Sequence, residues 1–307
     1  MKTGLKDQAQ NSPLGGSKNS RQSLLRRIKR SRLSGAIQNN PISTFGLIVI
    51  IFFLLMSFFP QWFSPLDPTK MDLSNRLLPP SYINKFGTDQ IGMDVYTRVI
   101  YGAQTTLKIV TVVVLLASGV GVIVGAISAY FGGTIDIVMM RITDMFLAFP
   151  PFILAVAVNA ALGPGMFQTV IAVAIAWWPS YSRLIRGQVL SVKHEEYVTA
   201  ALMVGCSPIR VLFKHVLPNC LDPIIVIITL DLGLIALTTA GLSFLGLGAQ
   251  PPTPEWGRMV NDGRKYILNQ WWVTTFPGLA LFFVVIGFNM GGEILRGWLD
   301  LSGINWK

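Results

Sequence analysis

The sequence predicts an all-α integral membrane protein with six transmembrane helices and with both termini in the cytoplasm. Of its 307 residues, 51% are hydrophobic and only 13% are charged, whereas a soluble domain carries about a quarter charged residues. Charges are absent from long runs, and basic residues concentrate near the N-terminus. The alternative, a large soluble protein with buried helices, would need far more polar surface than this composition supplies.

The uncharged runs predict the spans in order. A membrane-spanning helix needs about 20 mostly apolar residues. The run 145–182 is long enough for two helices, with "GPG" at 163–165 as the turn between them. The six predicted spans are 43–62, 107–130, 140–162, 166–183, 217–247 and 273–296. They divide the chain into a basic tail (1–42), a first span with an external segment (43–106), a five-helix core (107–300) and a C-terminal tail (301–307).

Charge asymmetry predicts the orientation. The first 43 residues hold nine basic residues and one acidic residue, so this end is expected to stay in the cytoplasm. The loop at 183–215 has a net charge of +3 and falls inside, whereas 61–106 is neutral, 248–272 is +1, and both fall outside. The tail, rich in Ser, Asn and Gly, is expected to be mostly disordered and to lie near anionic lipid. A nucleic-acid role does not suit a membrane-tethered segment.

Motifs for chemistry are missing from the sequence. It has no phosphate-binding G-x-x-x-x-G-K-[ST] loop, no nucleophile elbow and no H-E-x-x-H. Cys206 and Cys220 form no C-x-x-C pair, and His194 and His215 have no third ligand nearby in the sequence. We therefore predict no catalytic, cofactor or metal site. If the protein moves anything uphill across the membrane, the energy must come from an ion gradient or a partner.

The stretch "EYVTAALMVGCSPIRVLFKHVLPN" (196–219) predicts two short helices joined by a sharp turn. Gly205 suits the positive φ that ends many helices, Ser207 is a good N-cap, and Pro208 fits the first helical position. The predicted apolar faces are Tyr197, Ala200, Ala201 and Val204, then Ile209, Leu212, Phe213 and Val216. Helices this short need something to pack against, either this protein's own helix ends or a second cytoplasmic protein.

This stretch resembles the cytoplasmic coupling loop, the EAA loop, of permease subunits from bacterial ATP-binding-cassette importers. The general pattern is E-A-A, three residues, Gly, nine residues, I-x-L-P. Positions that match are Ala200, Ala201, Gly205, Leu217 and Pro218. Thr199 replaces the Glu and His215 the Ile, as in the peptide-permease branch, where Glu196 and His215 fall on branch positions. Whether these departures alter the contact with the ATPase stays open.

Three more segments resemble the second permease subunit of dipeptide, oligopeptide and nickel importers. They are "FGTDQIGMDVYTRVIYGAQTTL" (86–107), "GLSFLGLGAQPPTPEWGRMVNDGR" (241–264) and "FPGLALFFVVIGFNMGGEILRGWLD" (276–300). Met93 stands where Arg is usual, and Glu293 where Asp is common. The resemblance runs from about residue 41 to 300, with the segments in the family's order.

The resemblance implies a type I importer (MetI-like) fold in a prokaryotic inner membrane. It implies four kinds of partner: a second homologous permease, two ATPases, an extracytoplasmic binding protein and membrane lipid. The residues implied to couple to the ATPase are Glu196, Ala200, Ala201, Gly205, Ser207, Pro208, His215, Leu217 and Pro218. The binding protein is expected to dock on the external segments, with Asp89, Asp94, Glu255 and Trp256 as candidate contacts.

Other charged residues leave alternatives open. Asp231 lies inside the fifth predicted span, where a carboxylate is a candidate for the transport pathway, or else hydrogen-bonds across helices or pairs with the partner permease. Arg141 and Asp144 have the i, i+3 spacing of a helical ion pair. Gly119, Gly121 and Gly125 predict close packing of the second span.

Di- or oligopeptides are the expected cargo, and nickel or a metal chelate is the alternative within the same architecture. A more distant alternative is an ion-coupled secondary transporter, which often has several intramembrane charges and an inverted repeat. The sequence offers one clear carboxylate and no repeat. A membrane scaffold or channel subunit is the third class of function that the sequence leaves open.

Overall fold

The computed structural model describes residues 41–299 as an all-helical chain. The long helices are α1 (Pro41–Phe58), α2 (Val95–Phe131), α3 (Gly133–Leu147), α4 (Pro151–Leu162), α5 (Met166–Val192), α6 (Glu196–Met203), α7 (Leu221–Phe244), α8 (Trp256–Gly263) and α9 (Trp272–Leu299). Single turns lie at Pro60–Phe63, Leu73–Asn75 and Arg264–Tyr266, and a helical lead-in to α7 occupies Pro208–Cys220. The predicted tails lie almost wholly outside the described residues.

Four helical segments of the described chain are long and apolar enough to cross a membrane. They are Pro41–Phe58, Val95–Phe131, Pro208–Phe244 and Trp272–Glu293. The pair α3 and α4 meets the same test only if the two helices count as one broken span. The structure therefore supports a multi-pass membrane protein with four or five candidate spans.

The predicted span 140–162 is wrong as a single helix. The chain bends by 89° between α3 and α4, at the sequence "AFPP" (148–151). Pro151 occupies the start of α4, and proline disfavours helix in the residue before it. The third predicted span is thus two helices joined by a proline corner.

The predicted span 166–183 forms the first part of α5, but it fails the length-and-composition test for a span. The first part of α5 is apolar, whereas residues 177–186 include Pro179, Ser180, Ser182, Arg183 and Arg186. Helix α5 packs against α2, α4 and α7. A helix surrounded by other helices needs less lipid-facing apolar surface than one at the edge of the bundle. Hydropathy alone therefore underestimates the ability of α5 to cross a membrane.

Glycine brings α2 and α5 into close contact. A β-carbon at Gly121 would lie 2.6 Å from the Trp178 carbonyl oxygen and 2.6 Å from Tyr181 Cβ. A β-carbon at Gly125 would overlap Ile185 and the Ser182 carbonyl, whereas one at Gly119 would meet nothing within 4 Å. Gly121 and Gly125 thus serve the predicted packing, and Gly119 does not.

The helix ends gather in two groups, at opposite ends of the bundle. At the end we call the loop end, Ser43 Oγ donates to Glu293 (3.3 Å) and Lys193 Nζ donates to the Ala129 carbonyl (2.9 Å). At the other, the cap end (residues 59–94 and 245–271), Gly165 N donates to the Leu247 carbonyl (2.9 Å). Helices α1, α2, α5, α7 and α9, together with the bent pair α3 and α4, therefore run between the two ends in alternating directions.

Candidate coupling site at the loop end

Helix α6 ends in a hydrogen-bonded turn at Gly205. Gly205 has φ +84°, and its N–H donates to the Leu202 carbonyl (3.0 Å), while Cys206 N donates to Ala201 (3.2 Å). These two bonds form a Schellman motif, in which a residue at positive φ closes the helix. The predicted helix end at Gly205 is confirmed, and glycine is there because other side chains are strained in this conformation.

The second helix begins where the sequence indicates, but it is irregular. Pro208 occupies the first turn and Ser207 the N-cap position, although the Ser207 side chain makes no capping bond. After one α-helical turn the chain widens to a π-helix over Leu212–Val216 and tightens to a 3₁₀ turn over Leu217–Cys220, which contains Pro218. Segments of π-helix often mark functional sites.

The buried face of this region matches the predicted apolar faces only in part, at Leu212 and Val216. Val198, Val211, Leu212 and Val216 are at most 1% exposed and pack with Ala126, Ala129, Ile185, Val189 and Ile224. The predicted apolar residues Tyr197, Val204, Ile209 and Phe213 are instead exposed, with Val204 at 82%. The reason is that α6 carries apolar residues on two sides, and the chain's own core takes the side of Val198. A solvent-facing apolar surface, the α6 surface, remains: Tyr197, Leu202, Met203, Val204, Ile209 and Phe213.

The other residues implied to couple divide between these two sides. Glu196, Ala200, Ser207, Pro208 and Pro218 are exposed, and Ala201, His215 and Leu217 are half-buried. Asn219 Nδ2 donates to the Tyr197 hydroxyl (3.2 Å) and the His215 carbonyl (2.7 Å). This amide fastens α6 to the lead-in of α7, and the Lys193 contact with Ala129 fastens the start of the loop to α2.

Two ion pairs that the sequence does not predict connect α3 to α5 at the loop end. Arg186 donates twice to Asp136, at 2.7 Å and 2.6 Å, and Arg183 pairs with Asp144. The predicted pair of Arg141 with Asp144 is therefore wrong, because Asp144 faces the neighbouring helix. The partners are far apart in sequence, so helical spacing gave no signal for either pair.

The candidate docking residues Asp89 and Asp94 are structural groups of the cap end. Asp94 caps α2 by accepting from Thr97 N (2.8 Å) and Thr97 Oγ1 (2.6 Å). Asp89 is 7% exposed, accepts from the Ile91 and Met93 amides and pairs with Arg98 at 3.6 Å. Burial raises the pKa of the Asp89 carboxyl. Asp89 therefore fixes the local fold of the cap end by contacts with the backbone of residues 91–93 and with Arg98.

Glu255 and Trp256 are buried in the same way. The Glu255 carboxylate, 1% exposed, caps α8 by accepting from Gly257 N and Arg258 N, both at 2.9 Å. Burial raises the pKa of this carboxyl. Trp256 Nε1 donates to the Val99 carbonyl (2.9 Å), and its ring meets Phe53 edge-on. Glu255 lies at the N-cap position directly before α8, and this position is the sequence feature that could have predicted its capping role.

Asp231 lies within α7, half-buried. The side chain that interacts with it is Tyr181 of α5, which is fully buried. In the described chain Asp231 forms no ion pair. Asp231 is thus apart from the loop-end residues and belongs to the middle of the bundle.

Two family models match this chain. Residues 121–302 match the family of binding-protein-dependent transport system inner membrane components. The chain belongs to this family. Residues 38–80 match a second model, the N-terminal TM domain of oligopeptide transport permease C. This chain is accordingly a multi-pass inner membrane protein.

Curated relatives cover most of this family member. The probable D,D-dipeptide transport system permease protein DdpC of Escherichia coli (strain K12) is 42% identical over 91% of this chain and 95% of its own length. The dipeptide transport system permease protein DppC of Alkalihalophilus pseudofirmus is 42% identical over 86% of this chain and 87% of its own. The nickel transport system permease protein NikC of E. coli (strain K12) is 39% identical, over 83% and 92%.

A solved structure gives the fold. An inward-facing conformation of the MetNI methionine ABC transporter aligns with a TM-score of 0.51 and 18% identity, covering 66% of this chain and 96% of that one. At this identity the likeness concerns the fold alone, and it confirms the expected MetI-like fold.

Proposed function

We propose that this chain is one of two permease subunits of an ATP-driven importer that takes up di- or oligopeptides. The carrying observation is the α6 surface at the loop end, an apolar face that this chain's own core leaves open. The relatives named for dipeptide transport support peptide cargo. The relative named for nickel transport favours nickel or a chelate as the second candidate.

The proposed topology has six membrane crossings, with the loop end and both termini in the cytoplasm. The alternation of helix ends between loop end and cap end supports it, if α3 and α4 together make one crossing and α5 another. At 27 residues, α5 is about 40 Å long, which exceeds the hydrocarbon thickness of a membrane. The basic composition of residues 1–43 supports a cytoplasmic N-terminus.

Energy enters this subunit through α6, because the sequence carries no nucleotide-binding motif. Each of two partner ATPases would hold the α6 surface of one permease, and their closure on ATP would move α6. For that motion to reach the spans, α6 must be tied to them. The Val198 cluster, the Asn219 amide and the Lys193 contact supply these ties.

The cap end would receive the binding protein. Asp89, Asp94, Glu255 and Trp256 hold the external segments in shape, and other residues form the contact. Tyr82 and Ile83 are 101% and 87% exposed on a turn closed by Ser81 N donating to the Asn84 carbonyl (2.8 Å). An apolar pair on a fixed turn suits a protein contact, because little side-chain or loop order is lost on binding.

Reconstitution tests the proposal. This chain would be produced with its partner permease, ATPases and binding protein and placed in proteoliposomes. We expect ATP-dependent dipeptide uptake, and ATPase activity stimulated by the loaded binding protein. Exchange of Met203 and Val204 for Asp should abolish uptake while the binding protein still captures peptide. Uptake by this chain alone, driven by a proton gradient, would instead establish a secondary transporter.

A further inference from the structure

The middle of the bundle contains a carboxyl group that is not paired with a cation in the part of the chain that the structure describes. Asp231 is ten residues from the start of α7 and thirteen from its end, which is about 15 Å and about 20 Å along the helix. Among the described residues no Lys, Arg or His pairs with it. A carboxyl at this depth faces a bundle interior or a water-filled cavity rather than lipid.

The tyrosine beside Asp231 also lacks a full set of partners. Tyr181 is 0% exposed, and its hydroxyl interacts with the Asp231 carboxyl. This hydroxyl completes no hydrogen bond of ordinary geometry in the described chain. Buried hydroxyls are normally hydrogen-bonded, so the Tyr181 hydroxyl has capacity for a further polar group.

Asp231 lies at the border between the buried side and the open side of α7. Leu234 and Leu237 on the open side are 51% and 53% exposed, and Leu234 is about 60° around the helix from Asp231. Tyr181 approaches Asp231 from the buried side. One side of the carboxyl is therefore next to α5, and the other borders the open side of α7.

We propose that Asp231, beside Tyr181, lines the transport pathway and binds cationic side chains of the cargo. The inference rests on the proposed function, in which the cargo includes peptides with lysine or arginine side chains. A fixed cation from the partner permease is the competing explanation, but burying a permanent ion pair at this depth carries a large desolvation cost. A passing cargo enters with water, so the carboxyl stays solvated between transport events.

The test is the charge selectivity of uptake by the reconstituted complex. The measured quantity is the uptake of lysyl-alanine divided by the uptake of glutamyl-alanine. The contributions of the binding protein and of the amount of complex cancel when this ratio is compared between wild type and variant. In Asp231→Asn we expect this ratio to fall by about tenfold, because the charge-assisted contact is lost. Asp231→Glu should keep most of the wild-type ratio, and Tyr181→Phe, which alters only the positioning residue, should lower it by about threefold.

Asp222→Asn is the matched control, because it makes the same change on the exposed first turn of the same helix. Its ratio should equal that of wild type. An unchanged ratio in Asp231→Asn, or an equal fall in uptake of both peptides, would overturn the proposal. Loss of the partner permease on purification of Asp231→Asn would overturn it too, in favour of an ion pair between subunits. Failure of the proposed function is distinct, since wild type itself would then show no ATP-dependent uptake.

Discussion

The pair of Asp136 and Arg186 should be a stabilising connection between α3 and α5, and its strength can be worked out from the structure. The two side chains are 19% and 33% exposed and form a double hydrogen bond. Bonds to charged groups are worth about 1.5–3 kcal/mol when buried, and exposed ion pairs about 0–1 kcal/mol. For this partly exposed, bidentate pair we expect a coupling energy of about 1–2 kcal/mol.

The perturbation is a double-mutant cycle with Asp136→Asn and Arg186→Gln, read as thermal stability of the purified complex. Each single variant should lower the midpoint by about 2–4 °C per kcal/mol lost, and the double variant should lose less than the sum of the two. The pair of Asp144 and Arg183 is the internal control. Its side chains are 53% and 59% exposed, so its coupling should stay below about 0.5 kcal/mol.

Stability alone does not show that the connection transmits motion. The charge exchange Asp136→Arg with Arg186→Asp should restore binding-protein-stimulated ATPase activity that either single reversal lowers. Equal coupling energies for the two pairs would refute the argument from burial. A failure of the exchange to restore activity would refute the role in transmission.

Three further predictions concern backbone and caps. Gly205→Ala strains a residue at φ +84° by about 1–2 kcal/mol, so the ATPase activity stimulated by the binding protein should fall. The fall should be smaller in Gly205→Asn. Gly187→Ala, at an open helical position, should leave the ATPase activity unchanged. Gly121→Ala should lower stability by about 1–3 kcal/mol through the clash with α5, whereas Gly119→Ala should leave the melting temperature unchanged or slightly higher. Glu255→Ala should cost about 1–2 kcal/mol of stability through the lost cap. Burial raises the pKa of Glu255, so the folded protein binds the Glu255 proton more tightly than the unfolded chain does. Wild-type stability should therefore fall as the pH rises above about 4.5 toward the raised pKa. In Glu255→Gln, that part of the plot of melting temperature against pH should be flat.

Local rules predicted the turn between α6 and the lead-in of α7 well, because the turn depends on residues close in sequence. Gly205 and Pro208 stand where the chain must turn and restart. The proline corner between α3 and α4 was also within reach, since two adjacent prolines interrupt an apolar run at 150–151. Counting uncharged residues hid it, because proline carries no charge.

Burial was much harder to predict than helix position. Charged residues in polar loops resemble surface residues, yet Asp89 and Glu255 are buried because backbone amides satisfy their carboxylates. The choice between the two apolar sides of α6 depends on α2 and α5, which are distant in sequence. Periodicity identifies an apolar side but cannot say whether the same chain or another protein covers it.

This division between the two sides of α6 has a mechanical consequence. The Val198 side decides how firmly α6 follows the spans, and the α6 surface decides how firmly a partner holds α6. Asn219 belongs to the first set, because its amide ties Tyr197, a residue of the α6 surface, to the His215 carbonyl and adds no apolar side chain of its own to that surface. Asn219→Ala should therefore leave ATPase binding intact, measured by co-purification, while lowering the peptide taken up per ATP hydrolysed. Loss of the ATPase from the Asn219→Ala complex would mean that the two sides of α6 do not act separately.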